Sequence, residues 1–395
     1  MLGTHKLICD TFCEIYSQIE HYCNDSFWDF GQHEPVAHSV TVFSRQTFNQ
    51  HHVRIKELAE SGFFYPVLAN PTEGSATLKH QCERLGLIDL LKQHKLALVG
   101  CGDMEPDLPH LFYDSYLCKP YEYQENINQC ARVDEIYAKL IKPYRFLFLN
   151  GRTRPHRKYM IESLRHILDQ ALWTNLDSSP VYTHTYHSDI LTRPSEIQLL
   201  PAEYEVPQFR SGLKQSYQMP FAKNELFSNL WGEIYIQAEP YIDTYFSVVT
   251  ETVCDYPYSL RSEKIYKPIA MGHPWIAAAN RGFYRDIRNQ GFRTYGNLID
   301  ESFDTIDNNQ DRLDRIVAVV QDLCQQDLAE FLVAAEHVSK YNQQHMADLG
   351  PRIRAEFPQQ FLRFVEQTFR LNERFRIQTH SIRPSLGQFL CGKMV

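Results

Sequence analysis

The sequence predicts an α/β fold: two parallel-sheet units followed by a helical tail. Three observations predict it. Short apolar runs of strand length alternate with amphipathic segments of helix length from residue 36 to 141. The same alternation restarts after the Lys142-Pro143 break and runs to about residue 300. From residue 309 onward the apolar residues recur only at helical spacing. The expected units are residues 1–142, residues 143–325 and a tail, 326–395, packing back on the first unit.

Taken in order, residues 1–25 read as a helix, because Ile8, Phe12, Ile15, Tyr16 and Ile19 fall at helical spacing. Residues 36–44, 63–70 and 95–102 read as strands, and 111–117 as a further one. Between them lie helices at 46–62, closed by Gly62, and at 77–94, with another at 126–141. In the second half, strands are expected at 145–150, 180–186, 243–252, 273–280 and 292–296. Helices are expected at 156–173, 262–272 and 283–291, and the Pro- and aromatic-rich stretch 199–220 reads as irregular. Helices at 309–325, 327–348 and 358–375 complete the chain, with Leu313, Ile316, Val317, Val320 and Leu323 forming a core-facing stripe.

Composition limits the function. The chain has 395 residues, 43% apolar and 22% charged, which is ordinary for a globular protein and excludes collagen-like and disordered classes. Lys plus Arg total 40 against 48 Asp plus Glu, a net charge of −8, so no nucleic-acid partner is expected. No apolar run approaches the ~20 residues needed to span a bilayer. The N-terminus has no secretory signal pattern and the ten cysteines form no CxxC pair, so the expectation is a cytoplasmic protein with reduced thiols. Cys9, Cys13 and Cys23, near His5 and His21, raise a metal site; only Cys9 and Cys13 approach zinc-ligand spacing, and burial in the core is favoured for them.

Three segments carry chemistry. Phe148-Leu149-Asn150-Gly151-Arg152-Thr153-Arg154-Pro155-His156-Arg157 closes a strand and opens a helix, with three arginines and a histidine at the turn. A helix N-terminus offers free N–H groups and a partial positive charge, and guanidinium forks match phosphate oxygens. Ser262-Glu263-Lys264-Ile265-Tyr266-Lys267-Pro268 opens a second helix, with Ser262 or Ser259 as N-cap. Lys264 and Lys267 in its first turn oppose the helix dipole, which points to a compensating anion. Val248-Val249-Thr250-Glu251-Thr252 places Glu251 at the carboxyl end of a buried strand, where open α/β sheets bind ligands.

Together these segments resemble the donor-binding half of GT-B glycosyltransferases, over residues of about 145–325. Ser262-Glu263-Lys264, followed by Ala270, Gly272 and Pro274, is similar to the Glu-Lys helix of fucosyltransferase-like and exostosin-like enzymes. The resemblance implies two Rossmann-like domains, with the first as acceptor domain, and a nucleotide-diphosphate sugar as donor rather than a resident cofactor. It implies that Glu263 holds the ribose and that Lys264 approaches the diphosphate. Leu260-Arg261-Ser262-Glu263-Lys264 stands where fucosyltransferases carry Tyr-Val-Thr-Glu-Lys, which leaves donor base and sugar open.

The expected donor-binding set is therefore Asn150, Arg152, Arg154, His156, Glu263, Lys264 and Lys267, with Glu251 and Arg157 as catalytic residues. Cations fixed at a leaving diphosphate stabilise the transition state more than the ground state, and no Asp-x-Asp string is present, so no metal is expected. An acceptor base would come from the first unit: Glu73, Asp103 and Glu105 all follow expected strands, and His33, His38, His51 and His52 are further candidates. The acceptor is open among glycan, small molecule and protein. Competing classes are a nucleotide-sugar epimerase, a non-catalytic nucleotide-sugar binder and a scaffold docking through its helical tail. GxxxxGK[ST] and GxGxxG strings are absent.

Overall fold

A computed structural model describes residues 5–72, 74–102, 104–150, 154–175, 236–255 and 259–371. The described chain is α/β, with two all-parallel sheets of six and four strands and a long C-terminal helix. This is consistent with two Rossmann-like halves.

The first sheet contains β1 (Lys6–Asp10), β2 (Asp25–Phe27), β3 (Ser39–Phe43), β4 (Phe64–Asn70), β5 (Ala97–Gly100) and β6 (His110–Phe112). Their spatial order is β2-β1-β3-β4-β5-β6. Crossovers run through α1 (Tyr16–Ile19), α2 (Arg45–Glu60), α3 (Ser75–Arg84) and α4 (Ile88–Lys92). Both faces are apolar, as a parallel sheet requires. Leu7, Val40, Val42, Val67 and Val99 build one core, and Ile8, Phe43, Phe64, Leu68 and Leu98 the other. Three short helices follow: α5 (Ser115–Cys118), α6 (Gln124–Cys130) and α7 (Val133–Ala138). Ile136 and Tyr137 of α7 join the core of the second sheet rather than the first.

The second sheet contains β7 (Tyr144–Asn150), β8 (Ala171–Asn175), β9 (Thr244–Thr250) and β10 (Trp275–Ala278), in the order β10-β9-β7-β8. Around it lie α8 (Pro155–Ser163), α9 (Glu239–Ile242), α10 (Glu263–Ala270), α11 (Phe283–Asn289) and α12 (Asn309–Gln325). The last helix, α13 (Leu328–Thr368), spans both units. Its Phe331, Leu332 and Val338 enter the second core, and its Phe357, Phe361 and Val365 enter the first.

Several elements differ from expectation. Residues 1–25 do not form one helix: Leu7-Ile8-Cys9 sits inside a buried strand, and only Tyr16–Ile19 is α-helical. Residues 156–173 divide into α8, a 3-10 segment at Arg165–Gln170 and strand β8. Residues 111–117 divide between β6 and α5, and 292–296 form no strand. The two final helices expected at 327–348 and 358–375 are one 41-residue helix that runs through Pro351 and Pro358. The segments 180–186 and 199–220 lie outside the described residues. Among the described residues no helix is long and apolar enough to cross a membrane.

Candidate functional site

In the second sheet β8 lies on one side of β7, and β9 and β10 lie on the other. The chain therefore leaves β7 and β9 in opposite directions, which opens a crevice at their carboxyl ends. All three segments singled out from the sequence end here. β7 ends at Asn150 and β9 at Thr250, and the Thr250 hydroxyl donates to Asn150 Oδ1 at 2.6 Å. This bond ties the two strand ends together across the switch.

Helix α8 begins with Pro155, whose fixed φ and missing N–H suit a first helical position. His156 and Arg157 follow in its first turn, and both are buried. His156 Nε2 pairs with the Glu251 carbonyl at 2.8 Å, and Arg157 Nη2 donates to the Thr250 and Glu251 carbonyls at 3.4 and 3.2 Å. Both side chains therefore brace α8 against the end of β9. Arg154, the N-cap, is half-buried. Arg152 lies outside the described residues.

Glu251 is the first residue beyond β9 and is fully buried. Its Oε1 accepts from the Ser262 N–H at 3.2 Å, and its Oε2 accepts from the Ser262 hydroxyl at 2.5 Å and the Thr252 N–H at 3.0 Å. Burial pushes this carboxyl up from its ordinary value, against the pull of Lys264 and Ser262. Glu251 thus works as a bracket, fixing the N-cap of α10 to the strand end. Ser262 in turn accepts from the Lys264 N–H at 3.4 Å.

Glu263 and Lys264 open α10 and pair with each other. Lys264 Nζ also reaches Thr252 Oγ1 at 3.1 Å. Burial pushes the Glu263 carboxyl up, but Lys264, Lys267 and the hydrogen bonds to it more than offset that, so it is held below the usual carboxylate range. Lys267 requires a correction: α10 has only eight residues, so Lys267 falls in its last turn, where the helix dipole favours a cation. Only Lys264 stands against the dipole.

The first unit meets this crevice. Gly102, just past β5, forms an isolated antiparallel bridge with Leu260, and the Ser75 hydroxyl donates to the Gly102 carbonyl at 2.6 Å. A Cβ on Gly102 would stand 3.1 Å from the Ser259 carbonyl oxygen, a tight contact that marks how closely the two backbones approach here. The carboxyl end of β5 thus faces the N-terminus of α10. Of the acids expected on this side, Glu105 pairs with Lys79, while Glu73 and Asp103 lie outside the described residues. Burial raises the Glu105 carboxyl, but Lys79 and neighbouring groups bring it below its ordinary value. His38 sits at the amino end of β3, on the far side of the sheet from the crevice; His33 stacks on Phe27, His51 packs on Phe30, and His52 bonds the Asn49 carbonyl.

Sequence reasoning missed one cluster at this junction. Asp114, just past β6, is fully buried and accepts from Arg261 Nε at 3.2 Å and from the Tyr266 hydroxyl. The Arg261 guanidinium also lies over the Phe112 ring, 4.7 Å from its centroid. The rule that singled out Glu251, an acid just beyond a strand, would have found Asp114 had β6 been ended at Phe112. Among the described residues no group of three or more His, Cys, Asp or Glu could hold a metal ion. Compared with protein-family models, curated proteins and solved structures, the chain matches none of them.

Proposed function

We propose that the protein is a GT-B-type glycosyltransferase that moves a sugar from a nucleotide-diphosphate donor to an acceptor held by the first unit, without a metal. The observation that supports this best is the anchoring of two helix starts to the end of β9 at the β7–β9 switch point, opposite the carboxyl end of β5: His156 and Arg157 of α8 bond the Glu251 carbonyl, and the Glu251 carboxylate bonds Ser262, the N-cap of α10. Glu263, held ionised, accepts hydrogen bonds from the ribose. Arg154 and Lys264, with Arg152, take the diphosphate, and Lys267 adds charge from one turn further along α10. As the glycosidic bond breaks, charge grows on the leaving phosphate, and cations already in place stabilise it. Glu251, His156, Arg157, Asn150 and Thr250 act as positioning residues, because their bonds fix the strand ends and helix starts that present those groups.

The test is calorimetric titration with UDP, GDP, CDP and dTDP in EDTA. One nucleotide should bind in the micromolar range, and Glu263→Ala and Arg154→Ala should each weaken it about tenfold or more, the worth of one charge-assisted contact. If none binds, with or without Mg²⁺, the proposal fails. One observation favours a second reading, nucleotide-sugar binding without turnover: the Glu251 carboxylate is bonded on both oxygens and Glu105 is paired with Lys79, so neither is an unengaged base. Release of free nucleotide from the bound donor would separate the two.

A further inference from the structure

Two carboxylates grip the start of α10, one from each unit. Glu251, beyond β9, holds it from the second unit through the Ser262 N–H and hydroxyl. Asp114, beyond β6, holds it from the first, and its two oxygens serve different units. Its Oδ1 accepts from the Leu117 N–H at 3.3 Å and so caps α5. Its Oδ2 accepts from Arg261 Nε at 3.2 Å and from the Tyr266 hydroxyl. Asp114 and Tyr266 are fully buried, and Arg261 is nearly so. Helix α5 is fixed in turn: the Ser115 hydroxyl donates to the Pro71 carbonyl at 2.9 Å, and Gly350 of α13 packs against Leu117.

We propose that Asp114 is a positioning residue for the nucleotide-diphosphate site: it sets Glu263 and Lys264 in place from the first unit, so the second unit's site is complete only while the first unit grips it. This rests on the reading of Glu263 and Lys264 as donor-binding residues. Arg261 and Tyr266 stand on either side of that pair in the sequence and end on one oxygen of Asp114, so the segment between them is pinned on both flanks. Without that oxygen the Glu251–Ser262 contact is left as a single pivot, and Glu263 and Lys264 shift as the turn rocks about it. A misplacement on the order of 1 Å is enough to weaken contacts of this kind severalfold or more. Asp114 has both oxygens engaged inside the protein, so it acts through α10 and not on the ligand.

The experiment compares the full-length wild type with Asp114→Asn, Tyr266→Phe and Leu323→Ala. Tyr266→Phe keeps the buried ion pair and loses only the hydroxyl bond, so it decides if Asp114→Asn fails to fold. Leu323→Ala is the control: it opens a cavity in the second core on α12, next to Cys324, whose carbonyl bonds Arg145 near the amino end of β7, the end of the sheet away from the start of α10. Two quantities are read: hydrogen–deuterium exchange over residues 260–266 without ligand, and the dissociation constant of the tightest binder among UDP, GDP, CDP and dTDP. Asp114→Asn should speed the exchange and weaken the nucleotide by about tenfold or more each, and Tyr266→Phe by about threefold. Leu323→Ala should leave both near wild type. The proposal is overturned if both variants bind nucleotide as the wild type does, or if neither changes the exchange. It is also overturned if Leu323→Ala weakens binding as much as Asp114→Asn, which would reduce Asp114 to a contribution to stability. If the wild type binds no nucleotide, the donor reading fails, and the exchange alone decides whether Asp114 holds the start of α10.

Discussion

At the scale of the residue, the buried polar groups divide into those that brace the backbone and those that face the crevice. Lys142 is a bracing group: its ammonium donates to the Ile136 and Ile242 carbonyls at 2.9 and 2.6 Å, between α7 and α9. Burial and then the neighbouring Lys139 pull its pKa down to about 7, against the partial support of Asp243. In the unfolded chain a lysine titrates near 10.4. Between those two values the unfolded state binds the extra proton, so this group makes stability rise with pH, and below about pH 7 the gain is gone. The urea midpoint of the wild type should therefore climb more steeply from pH 7 to 8.5 than that of Lys142→Met. Parallel slopes would show that Lys142 stays protonated in the fold. Glu251 and Arg157 teach a related lesson about legibility. Their residue types and their place at strand ends were readable, but their bonding was not. Whether a guanidinium faces a ligand or a carbonyl depends on which strand end lies opposite, and here Thr250 and Glu251 come from a strand nearly a hundred residues away.

At the scale of the element, the strands read well wherever an apolar run was long and bounded. The expected strands at 36–44, 63–70 and 243–252 each contain an observed one, the one at 145–150 falls one residue short of β7 at its start, and the helix at 309–325 is observed with those limits. Failures came where two short elements share one apolar pattern. Leu7-Ile8-Cys9 alternates between the two faces of a sheet, with Leu7 and Cys9 in one core and Ile8 in the other, yet Ile8, Ile15 and Ile19 also fit a helical spacing by accident. Periodicity cannot separate a five-residue buried strand followed by a turn from a helix. Pro351 and Pro358 misled for a different reason. Each removes a backbone hydrogen bond, but α13 is held at both ends by packing into different cores, and that burial outweighs the propensity penalty. Between the two ends α13 touches α5 closely at Gly350, where a Cβ would stand 3.2 Å from the Leu117 carbonyl oxygen. The Gly350 carbonyl accepts from the Cys118 thiol at 3.2 Å. Gly350→Leu should therefore cost about 1–3 kcal/mol by overpacking, read as a lowered urea midpoint. Gly350→Ala, in which a tight contact is offset by better helix propensity of up to about 1 kcal/mol, should stay close to wild type. Equal losses for both would mean that the helix approach is looser than these distances indicate.

At the scale of the whole molecule, the two units are joined by more than the connection at Pro143. Gly102 bridges Leu260, α13 enters both cores, and Asp114 of the first unit is buried against Arg261 and Tyr266 of the second. The Gly102 bridge and the Asp114 pair both lie where α10 starts, so the segment that presents Glu263 and Lys264 is held by the first unit, while α13 holds the other end of α10, Gln343 Nε2 donating to the Ala270 carbonyl at 2.7 Å. A protein built this way should unfold in one cooperative transition despite its two sheets, and two resolved calorimetric transitions in the wild type would contradict it. The ion pair offers a sharper test. Removing one member of a buried pair strands the other and costs about 3–5 kcal/mol, so Arg261→Met should lower stability by roughly that amount near neutral pH. Burial already raises the Asp114 carboxyl above its ordinary value, with Arg261 and the Tyr266 hydroxyl pulling it back. Without Arg261 the folded-state pKa must rise further. A carboxyl whose folded pKa lies above its unfolded one favours the fold only while protonated, and that contribution is lost as pH rises past the unfolded value near 3.9. The stability gap between wild type and Arg261→Met should accordingly widen as pH rises above the unfolded carboxyl value, and Asp114→Asn in the same background, which keeps the shape without the charge, should close most of the added gap. A gap that does not change with pH would mean that Asp114 is not the group left exposed to the loss, and the joint between the two units would have to rest on Tyr266 and the Gly102 bridge instead.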